Sequence, residues 1–434
     1  MELFSKIVNY IWGFPLIIFV VGSGIYFSKC IHFIQIRKIP FIIKNTVGKL
    51  SNNSYSIIMR TLGSSIGSGN IAGVASAIAV GGPGAVFWMW VTSLVNMGTK
   101  MIEVSLSVYY SKKNHGNKMG GAMYYISAIK GKGGKLLSIF YTVSLLVYIM
   151  CAPGFVQLNT ISSSLYDTFN ISKMIIFIIF LVLSIFIIFG GLKRTGSFLN
   201  KCVPFMCILY LVFSVIVISV NYDKIFSSLC DIFKYAFKPA PVIGGFLGSS
   251  VISAISKGSA RGILANEAGT GASTIVHSKS DNKPIVQGMW GIIEVYIISF
   301  IICSITALCV LVTSSYTTSL TGAPMVLNAF NSVYGSFGKY ILCFVMILFA
   351  YTTYIGFYEH YGVCIRYLFN DKVFKYFKWL YLVPLLSIFI DSNLIWLISD
   401  VAVALIIIPN IISLWKLSSV FKNIYDSEIN ELKS

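Results

Sequence analysis

Apolar runs of about 20 residues recur along the whole chain, and no other feature restricts its fold so strongly. A run of that length with few charges crosses the hydrocarbon of a bilayer as one helix. Eleven such runs are expected, at residues 11–34, 55–80, 84–110, 137–161, 173–191, 200–220, 245–268, 285–313, 338–366, 375–391 and 394–416. Lipid offers backbone N–H and C=O groups no partners, so each run must close its own hydrogen bonds. The fold class implied is an all-α membrane protein, with residues 1–434 forming a single transmembrane domain. Of the 434 residues, 56% are hydrophobic and 11% charged, the latter about half the share usual in soluble proteins. The first run is too long for the core of a secretory signal and lacks a basic segment before it, so it reads as a retained span.

The loops between the runs carry the charge. Thirty-three Lys and Arg against 15 Asp and Glu leave +18, an excess that in a soluble chain would suggest nucleic acid. Here it sits in short loops beside apolar runs, so it sets topology and nucleic-acid binding is excluded. Alternate loops and the tail hold 24 basic residues, from Arg37 and Lys38 through Lys257 and Arg261 to Lys433. The opposite set has only Lys6, Lys173, Lys224, Lys234, Lys238 and Lys339. By the positive-inside rule the N-terminus is expected outside and the tail, residues 417–434, in the cytoplasm of a cell-membrane protein. A missing or extra span would break this alternation. The nine cysteines form no CxxC pair and mostly lie inside apolar runs, so they read as packing residues.

Two runs suit broken helices. The 55–80 run holds Gly63, Gly67, Gly69 and Gly73 among Ser64, Ser65, Ser68 and Asn70. The 245–268 run opens on Gly244, Gly245, Phe246, Gly248, Ser249 and Ser250, continues through Gly258 and Gly262, and is followed by Gly269 and Gly271. Glycine lowers the cost of leaving a helix, and non-helical backbone at membrane depth must line a cavity or be buried in protein. These runs lie five spans apart and cross in opposite directions. That is the pattern of an inverted repeat whose halves, 55–220 and 245–416, each begin with an unwound helix, while 11–34 stands outside the pair. The other use of such glycines is close helix packing, since Gly69–Gly73 and Gly258–Gly262 have GxxxG spacing.

An unwound turn frees carbonyls for a hard cation and N–H groups for a carboxylate. Residues 63–70 carry no charge, which suits a zwitterion with a monovalent cation better than a metal that needs carboxylates. The hydroxyls of Thr352 and Thr353 are candidates to complete a cation site with those carbonyls. The alternative is a threonine bonded one turn back along its own helix. Pro153 and Gly154 should kink the 137–161 run. Beside them, Gln157 and Asn159 either bind a polar ligand or bond another helix. Lys100 and Glu103, three apart, are expected to pair. Glu294 lies roughly 13 Å into its span; it reads as a proton-coupling acid or a structural hydrogen-bond partner, as do Glu359, His360 and Asp400.

Enzyme signatures are weak. Gly63-Ser64-Ser65-Ile66-Gly67 matches GxSxG, but that motif needs a strand–turn–helix elbow. A serine hydrolase would also need a histidine beside the serine, and His32, His115 and His277 fall in or near expected inner loops, with only His360 inside a later span.

The ordered motifs together resemble the alanine or glycine:cation symporter family. They run from Gly67-Ser68-Gly69-Asn70 through Gly81-Gly82-Pro83-Gly84 and Phe87-Trp88-Met89-Trp90 to Glu103 and Met119-Gly120-Gly121. Gln157 with Asn159, Val203-Pro204-Phe205-Met206, Arg261-Gly262, Asn266-Glu267-Ala268-Gly269, Gln287-Gly288 and Pro409-Asn410 complete the string. The resemblance implies a leucine transporter-type 5+5 inverted repeat preceded by one extra helix. It implies uptake of alanine or glycine coupled to sodium, less often to protons, with no other cofactor and no obligate protein partner. Carried over, the substrate site would use Ser68, Gly69, Asn70, Gln157 and Phe246. The sodium site would use the carbonyls of Gly63 and Ile66 with Thr352 and Thr353. The chain departs from the family at Ala265, Ile298, Phe357 and Val403, where serine, aspartate, tryptophan and asparagine are usual.

Overall fold

The computed structural model describes residues 13–114, 117–390 and 392–433; His115 and the start of the first expected span lie outside them. Helix α1 (Phe14–Cys30) is followed by α2 (Asn52–Ser65) and, after a π-turn at Gly69–Gly73, α3 (Val74–Gly81). Then come α4 (Gly84–Tyr109), a small antiparallel hairpin of β1 (Lys112–Asn114) and β2 (Asn117–Met119), and α5 (Lys132–Ile149). A π-helical stretch at Met150–Val156 joins α5 to α6 (Gln157–Phe169), and α7 (Lys173–Phe189), α8 (Gly191–Val220) and α9 (Ile225–Phe237) follow. Next are α10 (Val251–Asn266), α11 (Thr274–His277), α12 (Pro284–Val295) and, through a π-stretch at Tyr296–Ile302, α13 (Cys303–Val312). The chain closes with α14 (Ala323–Tyr334), α15 (Gly338–Leu368), α16 (Asp371–Phe377), a 3-10 segment at Lys378–Phe389 and α17 (Ser392–Lys433). Among the described residues, five continuous helical stretches are long and apolar enough to cross a membrane, and shorter apolar helices accompany them.

Helix α4 forms the middle of the packing, touching α1, α10 and α12. Small residues set these close approaches. A Cβ on Gly98 would lie 2.6 Å from the Ser28 backbone, and one on Gly262 would lie 2.8 Å from the Met89 carbonyl. Gly258 likewise faces the Ala85 carbonyl. For Gly258 and Gly262 the GxxxG spacing therefore serves packing of α10 on α4. Gly69 and Gly73 instead face no helix backbone: a Cβ on Gly69 would meet nothing within 4 Å, and one on Gly73 would meet the Arg261 side chain. The outward faces of α7 and α8 carry bare apolar side chains, including Phe186, Val182, Ile208 and Val212, as a lipid-facing surface requires.

Several expected boundaries move. The 375–391 run is mostly a 3-10 segment containing Pro384, which Tyr381 ties to α15 by stacking on Tyr354 with ring centres 5.1 Å apart. The last run does not stop at residue 416. Its helix continues to Lys433, and Tyr425 donates to the Ile31 carbonyl at 3.1 Å, so the expected tail packs against the end of α1. Pro153 and Gly154 give the π-stretch rather than a simple bend, with Gly154 set against Pro384. The helices α9 and α14, which sequence periodicity did not indicate as spans, are amphipathic and short.

The second broken helix is not interrupted at 244–250. Residues 240–250 form a loop closed by bridges between Ala240 and Ser249 and between Ile243 and Phe246, all before α10 starts. The interruption lies further on. Glu267 takes φ 54°, Gly269 φ 89° and Gly271 φ 73°, and helix resumes only at Thr274. Left-handed backbone at two of these positions needs glycine to avoid a Cβ penalty. Lys257 and Arg261, counted as inner-loop charges, lie within α10 instead.

Candidate functional site

The first break is built by the end of α2. Its last residue is Ser65, and Ile66 is extended at φ −87°, ψ 92°. The final carbonyls of a helix have no partner within it, so each must find one nearby. The Leu62 carbonyl accepts from the Ile66 N–H at 2.7 Å, and the Ser65 carbonyl accepts from Asn70 Nδ2 at 2.9 Å. The Gly63 and Ile66 carbonyls meet only the Thr353 hydroxyl, 3.3 and 3.1 Å away. One hydroxyl hydrogen serves one acceptor at a time. Two carbonyls and a hydroxyl oxygen thus converge with too little positive charge, at the negative end of a helix dipole. That is a cation-binding arrangement of neutral oxygens. No cluster of His, Cys, Asp and Glu able to hold a metal occurs among the described residues.

Thr352 behaves differently from its neighbour. Its hydroxyl bonds back to the Leu348 and Phe349 carbonyls at 2.8 and 3.1 Å and touches Met206 Sδ at 3.3 Å. It does not reach the carbonyls of Gly63 or Ile66.

Beyond the break, Gln157 Oε1 accepts from the Ser68 N–H at 3.1 Å and from the Ser68 hydroxyl at 2.8 Å. This fixes α6 to the first broken helix. Gly67 permits it, since its Cβ would lie 3.0 Å from both Gln157 Nε2 and Thr353 Oγ. Asn159 serves structure instead, donating to the carbonyls of Ser387 and Ile390 at 2.9 and 3.0 Å.

Ser65, Gly67, Gly69, Asn70, Gln157 and Thr353 line one side of a cavity, together with Tyr148 and Glu267. Ala265 and Val403, two of the departures noted in the sequence, also line it. Phe357 lies behind, edge-on to Tyr148 with ring centres 5.8 Å apart. Phe246 is placed elsewhere: it sits in the loop before α10, against Tyr316 and under Gly82. Arg261, Trp396 and Asp400 border both this cavity and a second, wider one of about 740 Å³ that also reaches Asp167 and Lys339. Away from both cavities, Glu359 of α15 takes ion pairs from Arg60 of α2 and Lys279 just after α11, which ties the three segments together.

Beneath the cavity runs a buried charged network that sequence reasoning did not foresee. Lys100 does not pair with Glu103. Its ammonium contacts Glu294 at 3.1 Å and the Asn266 carbonyl, at the end of α10, at 3.2 Å. Glu103 accepts from Asn410 at 3.0 Å. His277 is not in an exposed loop but fully buried, 2.8 Å from Glu294 and 2.7 Å from Gln287. Ser65 contacts the carboxylates of Glu267 and Glu294, with no histidine beside it, so the hydrolase arrangement is not formed. Glu267 stands in the Asn266-Glu267-Ala268-Gly269 motif at the end of the 245–268 run, where the sequence assigns its side chain no role.

Gly69 gives a direct check on the cavity. Gly69→Ala, at a position without positive φ, should fold normally yet weaken ligand binding by about tenfold or more, as a methyl enters the space. Isothermal titration of the purified variant measures it.

The model of the sodium:alanine symporter family matches residues 1–433. An uncharacterised transporter of Haemophilus influenzae is 35% identical over 96% of this chain and 94% of its own. An uncharacterised transporter of Bacillus subtilis is 34% identical over 97% of this chain and 92% of its own. The sodium/alanine symporter of Methanococcus maripaludis is 28% identical over 96% and 95%. Among solved structures, the manganese transporter of Eremococcus coleocola has a similar fold, with TM-score 0.51 and 11% identity over 82% of this chain and 75% of that one.

Proposed function

Since the chain belongs to the sodium:alanine symporter family, and so to the multi-pass membrane transporters, we propose that it couples uptake of alanine or glycine to a sodium gradient by alternating access. The observation that carries the reading is the break between Ser65 and Gly69. There a cation seat of neutral oxygens and a ligand cavity share the same few residues. The sodium would sit at the carbonyls of Gly63 and Ile66 with the Thr353 hydroxyl. Thr352, turned into its own helix, would support that seat from behind. Ser68, Gly69, Asn70 and Gln157 would form the amino-acid site, without Phe246. The reading includes eleven spans, with 5+5 inverted repeats after one extra helix, an outer N-terminus and a cytoplasmic C-terminus. The loop charges support that orientation even with Lys257 and Arg261 removed from the inner set.

On this reading the wide cavity is the outer approach, and the Arg60–Glu359–Lys279 cluster closes the inner side. Glu359→Gln weakens both ion pairs at once. It should shift the population toward the inward-open state by about 10- to 100-fold. Spin labels at Asn53 and Asp281 would then report a longer distance, whereas an unchanged distance distribution would refute the closure assigned to Glu359. Uptake of labelled alanine into proteoliposomes tests the function itself. It should require an inward sodium gradient, and uptake indifferent to that gradient would reject sodium coupling.

A further inference from the structure

Four buried carboxylates, Glu103, Glu267, Glu294 and Glu359, lie around the two broken helices, and they are not equivalent. Glu294 is matched by Lys100 at 3.1 Å and His277 at 2.8 Å. Glu359 is matched by Arg60 and Lys279. Glu267 has no cationic side chain within ion-pair distance among the described residues. Glu103 has none either, but it accepts from Asn410 and does not line the ligand cavity, whereas Glu267, only 7% exposed, does.

Its hydrogen bonds are also short of what a carboxylate accepts. Tyr148 donates to Oε1 at 2.6 Å. The other contact is Ser65 Oγ, 3.2 Å from Oε2, but the same oxygen is also 3.2 Å from Glu294 Oε1. One hydroxyl hydrogen cannot serve both, while a carboxylate takes about four hydrogen bonds. A buried carboxylate left in that condition is costly unless a cation completes it. The backbone holds it there deliberately, since Glu267 is the left-handed residue that ends α10.

We propose that Glu267 is the subsite for the substrate's ammonium group, so that the cavity selects amino acids over acids of the same size that lack the amino group. This rests on the reading of the cavity as an amino-acid site. A zwitterion then meets two unlike ends: Glu267 with Tyr148 for the ammonium, and the first break with Gln157 for the carboxylate. Gln157 fits the second role because its Oε1 is engaged by Ser68, leaving its NH2 to donate. Glu294, already neutralised, positions Lys100 and His277 and takes no ligand.

The test is competition between labelled alanine and unlabelled alanine, glycine or propionate on the purified full-length protein in saturating sodium. Wild-type protein should prefer alanine to propionate strongly. Glu267→Gln, nearly isosteric, should lose about 10- to 100-fold in alanine affinity while propionate competes as before, so the preference narrows. Sodium binding without substrate, followed with 22Na, should be retained. Glu267→Asp, which keeps the charge, should keep the preference at reduced affinity and serves if the glutamine variant does not fold. An unchanged alanine-to-propionate ratio in folded Glu267→Gln would overturn the proposal. So would a loss confined to sodium affinity or to pH dependence, since Glu267 would then hold a metal ion or a proton. If wild-type protein bound neither alanine nor glycine, the transport reading itself would fail, and this inference with it.

Discussion

Thr353→Val should sharply weaken sodium-stimulated uptake while leaving the protein folded. Valine keeps the shape and removes the one hydroxyl that meets the carbonyls of Gly63 and Ile66. The seat then loses a ligand and its link between α2 and α15. The half-saturating sodium concentration should rise by at least tenfold, equivalent to about 1.4 kcal/mol. Thr352→Val should do much less, because that hydroxyl is spent on Leu348 and Phe349. The pair of variants makes a sharp comparison: adjacent residues, the same substitution, different effects. Equal losses in both would show that the threonines act only through packing of α15.

Lys100→Met should give the largest loss of stability. Its ammonium is fully buried and serves two acceptors, Glu294 and the Asn266 carbonyl. Methionine leaves Glu294 with His277 and the shared Ser65 hydroxyl but no other cation, and uncovers the negative end of α10 just where the second break begins. Removing one partner of a buried pair costs about 3–5 kcal/mol, enough to lower the unfolding temperature in detergent markedly. Lys100→Met combined with Glu294→Gln should recover much of that loss, since neutralising both partners removes the unpaired charge. A double variant as unstable as the single one would mean that Lys100 acts mainly on the α10 terminus.

Much of this architecture is legible in the chain because lipid leaves few options. Long apolar runs and charged loops report helices directly, and the first break was readable from Gly63 to Gly73 because its glycines and serines lie inside one run. The second break was misplaced for a physical reason. The glycines at 244–248 resembled an unwound segment, but they close a loop outside the helix, whereas the true interruption needs only Gly269 and Gly271 at positive φ. Thr353 and Gln157 were identifiable as polar groups in apolar surroundings. Their difference from Thr352 and Asn159 was not, because hydroxyl and amide partners depend on which neighbouring helix comes within 3 Å or so. The Lys100–Glu294–His277 network was hidden for the same reason. His277 and Glu294 lie 177 and 194 residues from Lys100, and local spacing pointed Lys100 to Glu103.

If the break between Ser65 and Gly69 both holds the cation and organises the amino-acid site, each ligand must strengthen the other. Alanine affinity measured with and without saturating sodium, and sodium affinity measured with and without saturating alanine, test this most directly. The two enhancement factors must be equal by thermodynamic linkage, and coupling of this kind is typically about 5- to 150-fold. The prediction is a matched factor in that range for wild-type protein and a factor near one for Thr353→Val. Alanine affinity that is the same with and without sodium in the wild-type protein would contradict it.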